Sequence, residues 1–321
     1  MRFSVIIPVY NARDTLGKCL SSIAMQNFSD YQVLIVNDGS GDESLAVAAE
    51  FAARDDRFRV YSIDHRGPGA ARNAGLTYAE GEYVLYLDAD DYWVCPELLQ
   101  ELSDRIGTEH ADVYMYQMAK VTEDGTELKR YTKPPFALAD KVVELKEVYQ
   151  DLVKDGQTLA SACNKCVRRS LLLEKDIRFR EDVIGEDIDW VLRLFSHTQT
   201  IYLLNLRAYA YIQRKIPTRS TQKGAHNDLV AIVNDWAQRC EAGEVIHSDA
   251  VKGLVAFQYA ICLGHDRDLT PENKGLMRQN THLLQYGLDR KTKLTHGFFR
   301  VFGYDLTAVA LRLYLTLRRI W

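Results

Sequence analysis

Three carboxylates close the apolar run Tyr83-Val84-Leu85-Tyr86-Leu87: Asp88, Asp90 and Asp91, interrupted only by Ala89. A short aromatic and β-branched run reads as an inner strand of a parallel sheet covered by helices on both faces, and charges do not belong inside such a strand. The acids therefore fall at its carboxyl edge, where open α/β sheets bind their ligands. Carboxylates gathered so closely repel one another and stay ionised only beside a cation, so Mg²⁺ or Mn²⁺ is the natural counter-charge. The alternative is an acidic turn in which Asp88 caps the helix announced by Pro96. A second acidic pair, Glu186-Asp187, precedes Ile188, Val191, Leu192 and Phe195, which describe one helix face. Both acids then lie in the first turn, where exposed amides and the helix dipole stabilise negative charge. Asp189 is expected to face solvent.

Positioning these acids requires alternating strands and helices. Residues 3–9 read as a strand, a helix begins at Asn11-Ala12-Arg13-Asp14, and the strand Gln32 to Val36 ends in Asn37-Asp38-Gly39-Ser40. A helix through Leu45 and Phe51 leads to the strand Phe58 to Ile63, ending at Asp64. Gly67 to Gly75 then combines turn glycines with small residues, which suits a helix start packed close to the sheet or to a ligand. The alternation implies a parallel, doubly wound α/β sheet with right-handed crossovers. Its strand ends bring Tyr10-Asn11, Asp38, Asp64 and Asp88 to Asp91 to one edge. Gly67 and Gly69 lack the third glycine of a dinucleotide fingerprint and follow the third strand, which argues against NAD or FAD, and no Walker lysine is present.

Farther on, a helix is expected over Glu97 to Ile106, a strand over Asp112 to Val121, a turn at Glu123 to Thr126 with a return strand to about Tyr131, and a helix over Glu144 to Lys154. Ile201 to Leu204 and Tyr209 to Gln213 read as two edge strands. After Gly224 the pattern becomes helical, over His226 to Glu241, Ser248 to Gly264 and Glu272 to Tyr286. The expected division is 1–222, itself split at 95, followed by a helical region 223–321.

The chain has 321 residues, formal net charge −4 and six scattered cysteines. A general nucleic-acid binder would show a basic face, so nucleic acid is not an expected partner. The single Cys163-x-x-Cys166 pair makes no zinc site, and the thiols are expected to be reduced. No secretory leader is read at Met1, and no apolar run reaches the roughly 20 residues that cross a bilayer. A cytoplasmic location is expected. Residues 290–321 mix Lys and Arg with Phe, Leu and Trp321 as a basic amphipathic helix or helix pair. Such a helix suits the inner face of the cell membrane, an anionic surface, while packing on neighbouring helices or in a homo-oligomer is the alternative.

Four ordered segments carry a family resemblance: Ser4-Val5-Ile6-Ile7-Pro8-Val9-Tyr10-Asn11, Val36-Asn37-Asp38-Gly39-Ser40, Gly69-Ala70-Ala71-Arg72-Asn73-Ala74-Gly75 and Leu87-Asp88-Ala89-Asp90-Asp91. Over about the first 95 residues they resemble the family 2 glycosyltransferases of the GT-A fold. The resemblance implies a nucleotide-diphospho-sugar donor, taken here as a UDP-sugar, with Mn²⁺ or Mg²⁺ and inversion at the anomeric carbon. It implies that Asp38 holds the base, the alternative being an N-cap only, with Pro8, Tyr10, Asn11 and Asp64 lining the nucleoside pocket and Gly69 and Arg72 at the nucleotide. Asp90 would ligate the metal, and Asp88 the ribose or the metal. Direct displacement needs a base for the acceptor hydroxyl. Glu186-Asp187 is similar to the family's acceptor motif, which makes Asp187 that base and Glu186 a binder of sugar or acceptor, a role extended to Asp91 and to Asn164-Lys165. For Lys165 the plainer alternative is a surface lysine. Arg214, Arg219 and Ser220 lie in a basic, hydroxyl-rich loop suited to the donor diphosphate, with a solvated basic turn as the alternative. The expected acceptor is a hydroxyl of a surface polysaccharide or lipid-linked glycan. A polyprenyl-phosphate acceptor and a non-catalytic nucleotide-sugar or glycan-binding subunit are the alternatives.

Overall fold

The computed structural model describes residues 1–128, 138–156, 160–181, 183–213 and 224–319. The chain forms two compact units, one from Met1–Leu145, Ala160–Asp182 and Glu186–Lys215, the other from Lys146–Leu159, Val183–Gly185 and Ile216–Trp321.

The first unit opens with the expected alternation: β1 (Phe3–Val9), α1 (Arg13–Ala24), β2 (Tyr31–Asp38), α2 (Ser44–Arg54), β3 (Phe58–Ile63), α3 (Pro68–Thr77) and β4 (Tyr83–Tyr86). These strands lie in the order β3-β2-β1-β4, all parallel. Every residue of β1, β2 and β4 is buried, as the continuous apolar runs require, whereas β3 at the edge exposes Arg59 and Ser62. Ser4, buried in β1, is satisfied there: its Oγ accepts hydrogen bonds from Gln32 Nε2 and the Gly81 amide, each at 2.8 Å. At Gly75 a Cβ would stand 2.4 Å from Ile6 Cγ2, so glycine is what lets α3 lie close on β1.

The sheet continues through β8 (Lys165–Arg168), β6 (Val113–Val121), β9 (Thr200–Ile212) and β5 (Tyr92–Trp93), with β7 (Val142–Glu144) also on β9. Here the structure departs from the sequence reading. The two expected edge strands are one strand, β9, which pairs with β5, β6 and β7 and is therefore internal. Register shifts against Tyr116, Gln117 and Met118 absorb the irregular stretch that separates them in sequence. β8, four residues long and wedged antiparallel between β4 and β6, was not anticipated. The strand returning from the turn after β6 is reduced, among the described residues, to a bridge between Val121 and Glu127. The helices α4 (Leu98–Thr108), α6 (Arg169–Glu174) and α7 (Glu186–Phe195) complete the unit. Asp189 on α7 is fully buried and not solvent-facing, because Arg193 Nε (2.6 Å) and Arg180 Nε (3.8 Å) neutralise it.

The second unit takes up α5 (Leu145–Lys154), α8 (Ala225–Glu241), α9 (Ser248–Gly264), α10 (Pro271–Gln279) and α11 (Arg290–Arg319). The third expected helix is divided: α10 stops at Asn280 and a 3-10 turn spans Thr281–Tyr286. α11 is broken at Gly303, whose φ of 71° lies outside the helical region. Among the described residues no helix is long and apolar enough to cross a membrane, and all six cysteines are free thiols.

Candidate active site

Arg72 organises the first unit's site. It sits on α3, whose amino terminus is held down by two features: Pro68 at its first turn, and Gly69, where a Cβ would lie 2.5 Å from the Arg180 carbonyl oxygen. Asn73 completes the clamp, its Nδ2 donating to the Phe179 carbonyl and its Oδ1 accepting from the Phe179 amide, both at 2.9 Å. The guanidinium is buried, at 4 % exposure, which in isolation would be prohibitive. Three carboxylates compensate: Nη2 lies 2.7 Å from Asp88 Oδ1, and Nη1 lies 3.1 Å from both Glu186 Oε1 and Asp187 Oδ1. The strand-end acids and the helix-start acids, nearly a hundred residues apart in sequence, thus share one cation. Against the desolvation cost of its burial, the carboxylates of Asp187, Asp88 and Glu186 keep Arg72 charged.

Asp187 accepts a hydrogen bond from the Ala162 amide at Oδ2 (3.2 Å), while Oδ1, shielded from solvent, accepts none. Burial raises its pKa to about 6, with Arg72 opposing and Glu186 and Asp88 reinforcing the shift. It is ionised at neutral pH yet more basic than an ordinary aspartate, which is what proton abstraction needs. Beneath it, Lys165 is not the surface lysine of the plainer reading but is completely buried, its Nζ donating to the Ser161 carbonyl (2.5 Å) and Asn164 Oδ1 (2.8 Å). Asn164, also buried, donates from Nδ2 to the Tyr116 carbonyl at 3.2 Å. Both side chains thus brace the 161–164 turn that presents the Ala162 amide. Burial lowers the Lys165 pKa to about 7, with Asp187 pulling the other way. Between pH 7 and its ordinary 10.5 the unfolded chain holds a proton there that the folded one does not, so folding stability rises with pH across that window. Lys165→Met should abolish this contribution, flattening the slope of unfolding free energy by about 1.4 kcal/mol per pH unit. Urea titrations of both proteins across the window measure it.

At the end of β4, oxygens of Asp88, Asp90 and Asp91 lie within 4.8 Å of one another. Their chemistry fits a hard, oxygen-seeking divalent cation. Within the trio, Asp91 is buried and both of its oxygens are engaged, Oδ2 by the Tyr209 hydroxyl at 2.6 Å and Oδ1 by the Ile212 amide at 2.8 Å. Burial, then the neighbouring Asp90 and Asp88, push its pKa well above the carboxylate range. Asp91 therefore fastens β9 to the cluster, and its geometry offers a sugar or acceptor no open oxygen. Asp88 and Asp90 are left as the fitting pair. A cleft of about 200 Å³ adjoins Asp90, with Asp14, Lys18, Tyr92 and Glu123 in its lining. Lys18 lies 3.7 Å over the Tyr92 ring and carried no signal in the sequence beyond being a helix lysine.

The remaining strand-end residues form a second cluster. Asp38, buried, accepts from the amides of Arg66 (2.8 Å) and Gly67 (2.9 Å), so its carboxylate already fixes the loop between β3 and α3. His65, which sequence reasoning missed, places Nδ1 3.0 Å from Asp38 Oδ2 and stacks its ring on Tyr10 at 4.1 Å. Its position directly after Asp64 at a strand end was the available signal. Tyr10 and Asp64 are exposed, and Pro8 is buried within β1. Asn11, with φ of 47°, accepts from the Gly41 amide at 2.8 Å. Arg214, Arg219 and Ser220 lie outside the described residues.

Gly69 can be tested directly. Because its missing Cβ faces a backbone carbonyl that cannot swing away, Gly69→Ala should cost about 1–3 kcal/mol, read as a lower melting temperature.

Comparison with known proteins gives the chain's family and fold. The sequence profile of Glycosyl transferase family 2 matches residues 4–174, more than half of the chain. The chain is 29% identical over 222 residues to the uncharacterized glycosyltransferase EpsJ of Bacillus subtilis, covering 68% of this chain and 62% of EpsJ. It is 28% identical over 244 residues to the cholesterol galactosyltransferase of Borreliella burgdorferi, covering 72% of this chain and 65% of that protein. It is also 29% identical over 221 residues to the poly(ribitol-phosphate) beta-N-acetylglucosaminyltransferase TarS of Staphylococcus aureus, covering 67% of this chain and 36% of TarS. The match thus spans less than two thirds of each relative. In fold, residues 1–349 of TarS, solved with UDP-GlcNAc, superimpose with a TM-score of 0.68 at 21% identity, covering 98% of this chain and 92% of that one. The α/β architecture with carboxyl-terminal helices is thereby the one expected from the sequence. The chain belongs to glycosyl transferase family 2.

Proposed function

We propose that the protein is an inverting, metal-dependent glycosyltransferase that moves a hexose or N-acetylhexosamine from a UDP-sugar to a hydroxyl of a cell-surface glycan, polymeric or lipid-linked. The observation that supports it best is Arg72, buried and in contact at once with Asp88 and with Glu186 and Asp187. A donor group and an acceptor group of acids on one cation are what a displacement needs: leaving-group charge develops on one side while a proton leaves on the other. The TarS structures with UDP and UDP-GlcNAc support the choice of donor, and the relatives named for transfer to poly(ribitol-phosphate) and to cholesterol support a surface-glycan or lipid acceptor.

Asp88 and Asp90 would hold the divalent ion, which when bound supplies positive charge to the diphosphate leaving group. A mannosyltransferase of Pyrobaculum calidifontis, solved with GDP-Man and Mn²⁺, shares the fold at a TM-score of 0.53 and 16% identity. Asp38, Tyr10 and Asp64 border the nucleoside end, Asn11 shaping the adjoining loop. Asp187 takes the proton from the acceptor hydroxyl as it attacks the anomeric carbon, and Glu186 orients hydroxyls. Asn164 and Lys165 act from below, by fixing the Ala162 amide on Asp187.

The stereochemistry is tested by proton NMR of the product formed from an α-linked UDP-sugar. A β-anomeric product agrees with single displacement at Asp187, and an α-product excludes it.

A further inference from the structure

α11 packs one face on its own unit and leaves large apolar side chains on the other. The face it buries carries Thr292, Thr295, Tyr304, Thr307 and Ala308, held by a 2.6 Å hydrogen bond from the Tyr304 hydroxyl to Asp266 and by close approach of Leu315 to Gly264. The opposite face carries further large apolar side chains, and these are exposed. Leu294 (65 % exposed), Phe298 (38 %) and Val301 (73 %) precede the break at Gly303, and Leu306 (56 %), Leu313 (58 %) and Leu317 (59 %) follow it. Their spacing of three, four and seven residues makes each half a stripe. Ordinary folding places such a stripe inward, and exposing it costs roughly 25 cal/mol for each Å² left in water. A surface of this kind is kept for an occupant.

Charge selects the occupant. Between residues 290 and 319 the sequence places Arg290, Lys291, Lys293, Arg300, Arg312, Arg318 and Arg319 against one acid, Asp305, in a chain whose net charge is −4. That acid is already paired with Arg278 at 2.5 Å. Lys291, Lys293 and Arg300 are exposed beside the stripe. A second copy would bring an equal set of cations against them. An anionic lipid surface offers phosphates to the cations and acyl chains to the leucines, and among the described residues no helix is long and apolar enough to cross it.

We propose that the outer face of α11 docks in the plane of an anionic membrane surface, with the apolar stripe in the headgroup and acyl boundary and the flanking Lys and Arg on lipid phosphates. Docking is a binding property and stands or falls separately from sugar transfer.

The test is flotation of the full chain with vesicles of phosphatidylcholine, with and without phosphatidylglycerol. The expected result is co-flotation with the mixed vesicles only. At about 1 kcal/mol per cation near the surface, Lys291→Glu/Lys293→Glu/Arg300→Glu should lose at least tenfold in partitioning. Leu306→Ser/Leu313→Ser should also release the protein, with an unchanged melting temperature because both side chains are exposed. Equal soluble fractions with both vesicle types would overturn the proposal. So would a dimer in sedimentation equilibrium that the leucine variant dissolves, which would assign the face to a second copy. UDP release, measured in parallel without vesicles, keeps the two readings apart: absent turnover with intact flotation counts against transfer alone.

Discussion

Asp187→Asn should fold and bind donor yet lose about 10²–10⁴-fold in kcat for transfer to a hydroxyl, the range expected when a positioned base is removed. The amide keeps the shape that meets the Ala162 amide but cannot take a proton. Folding should not suffer. The carboxyl's pKa is raised in the folded state, so the stability it gives is complete below the ordinary value of 3.8 and is lost as pH rises through about 6. At neutral pH the native side chain is therefore a burden on stability that asparagine removes, and the melting temperature of the variant should equal or exceed that of the parent. The same titration sets the acid limb of the parent: kcat/KM should fall tenfold per pH unit below about pH 6 and level off above it. Should the variant instead retain most of its rate, the acceptor is a phosphate that needs no base, and the polyprenyl-phosphate alternative takes over.

Arg72→Met should have the largest effect on the fold. It leaves Asp88, Glu186 and Asp187 facing one another without their shared cation, and breaking a buried ion network by removing one partner costs about 3–5 kcal/mol. Thermal unfolding measures this. Arg72→Lys separates charge from geometry, since one ammonium cannot bridge the 2.7 Å and 3.1 Å contacts that the two guanidinium nitrogens make in different directions. That variant should melt closer to the parent while losing about 10²–10³-fold in kcat, as for other preorganised charge contacts. Equal kcat for the lysine variant would show that Arg72 is structural only.

The alternating half of the chain was legible because β1, β2 and β4 are buried along their whole length and only β3, at the edge, is partly exposed, so periodicity and burial agree. β1 to β4 and the helices between them stand where the pattern puts them. Legibility fails in the second half of the sheet for physical reasons. β8 is four residues long, with Lys165 inside it, and its burial depends on carbonyl acceptors at Ser161 and a side chain at Asn164 that no local pattern announces. β9 reads as two strands because its bulged middle interrupts the alternation. Asp189 breaks the helix-face rule because two arginines, one of them four residues away and the other outside α7, meet it in the core. The same limit applies to the site. Strand ends predicted that Asp88, Asp90 and Asp91 gather, but not that Asp91 would spend both oxygens on β9. Nor could spacing show that Arg72, which the family resemblance assigns to the nucleotide, joins the two groups of acids.

On the proposed function, Asp88 and Asp90 at the end of β4, with Arg72 and Asp187, form a working, metal-dependent transfer site. The most direct test is UDP release from a panel of UDP-sugars by protein stripped with EDTA and then supplied with Mn²⁺. The predicted result is turnover of a donor that EDTA abolishes and Mn²⁺ restores, and that Asp90→Asn does not recover. Tight UDP binding with no turnover of any donor, with or without metal, would contradict it and make the chain a nucleotide-sugar binding subunit.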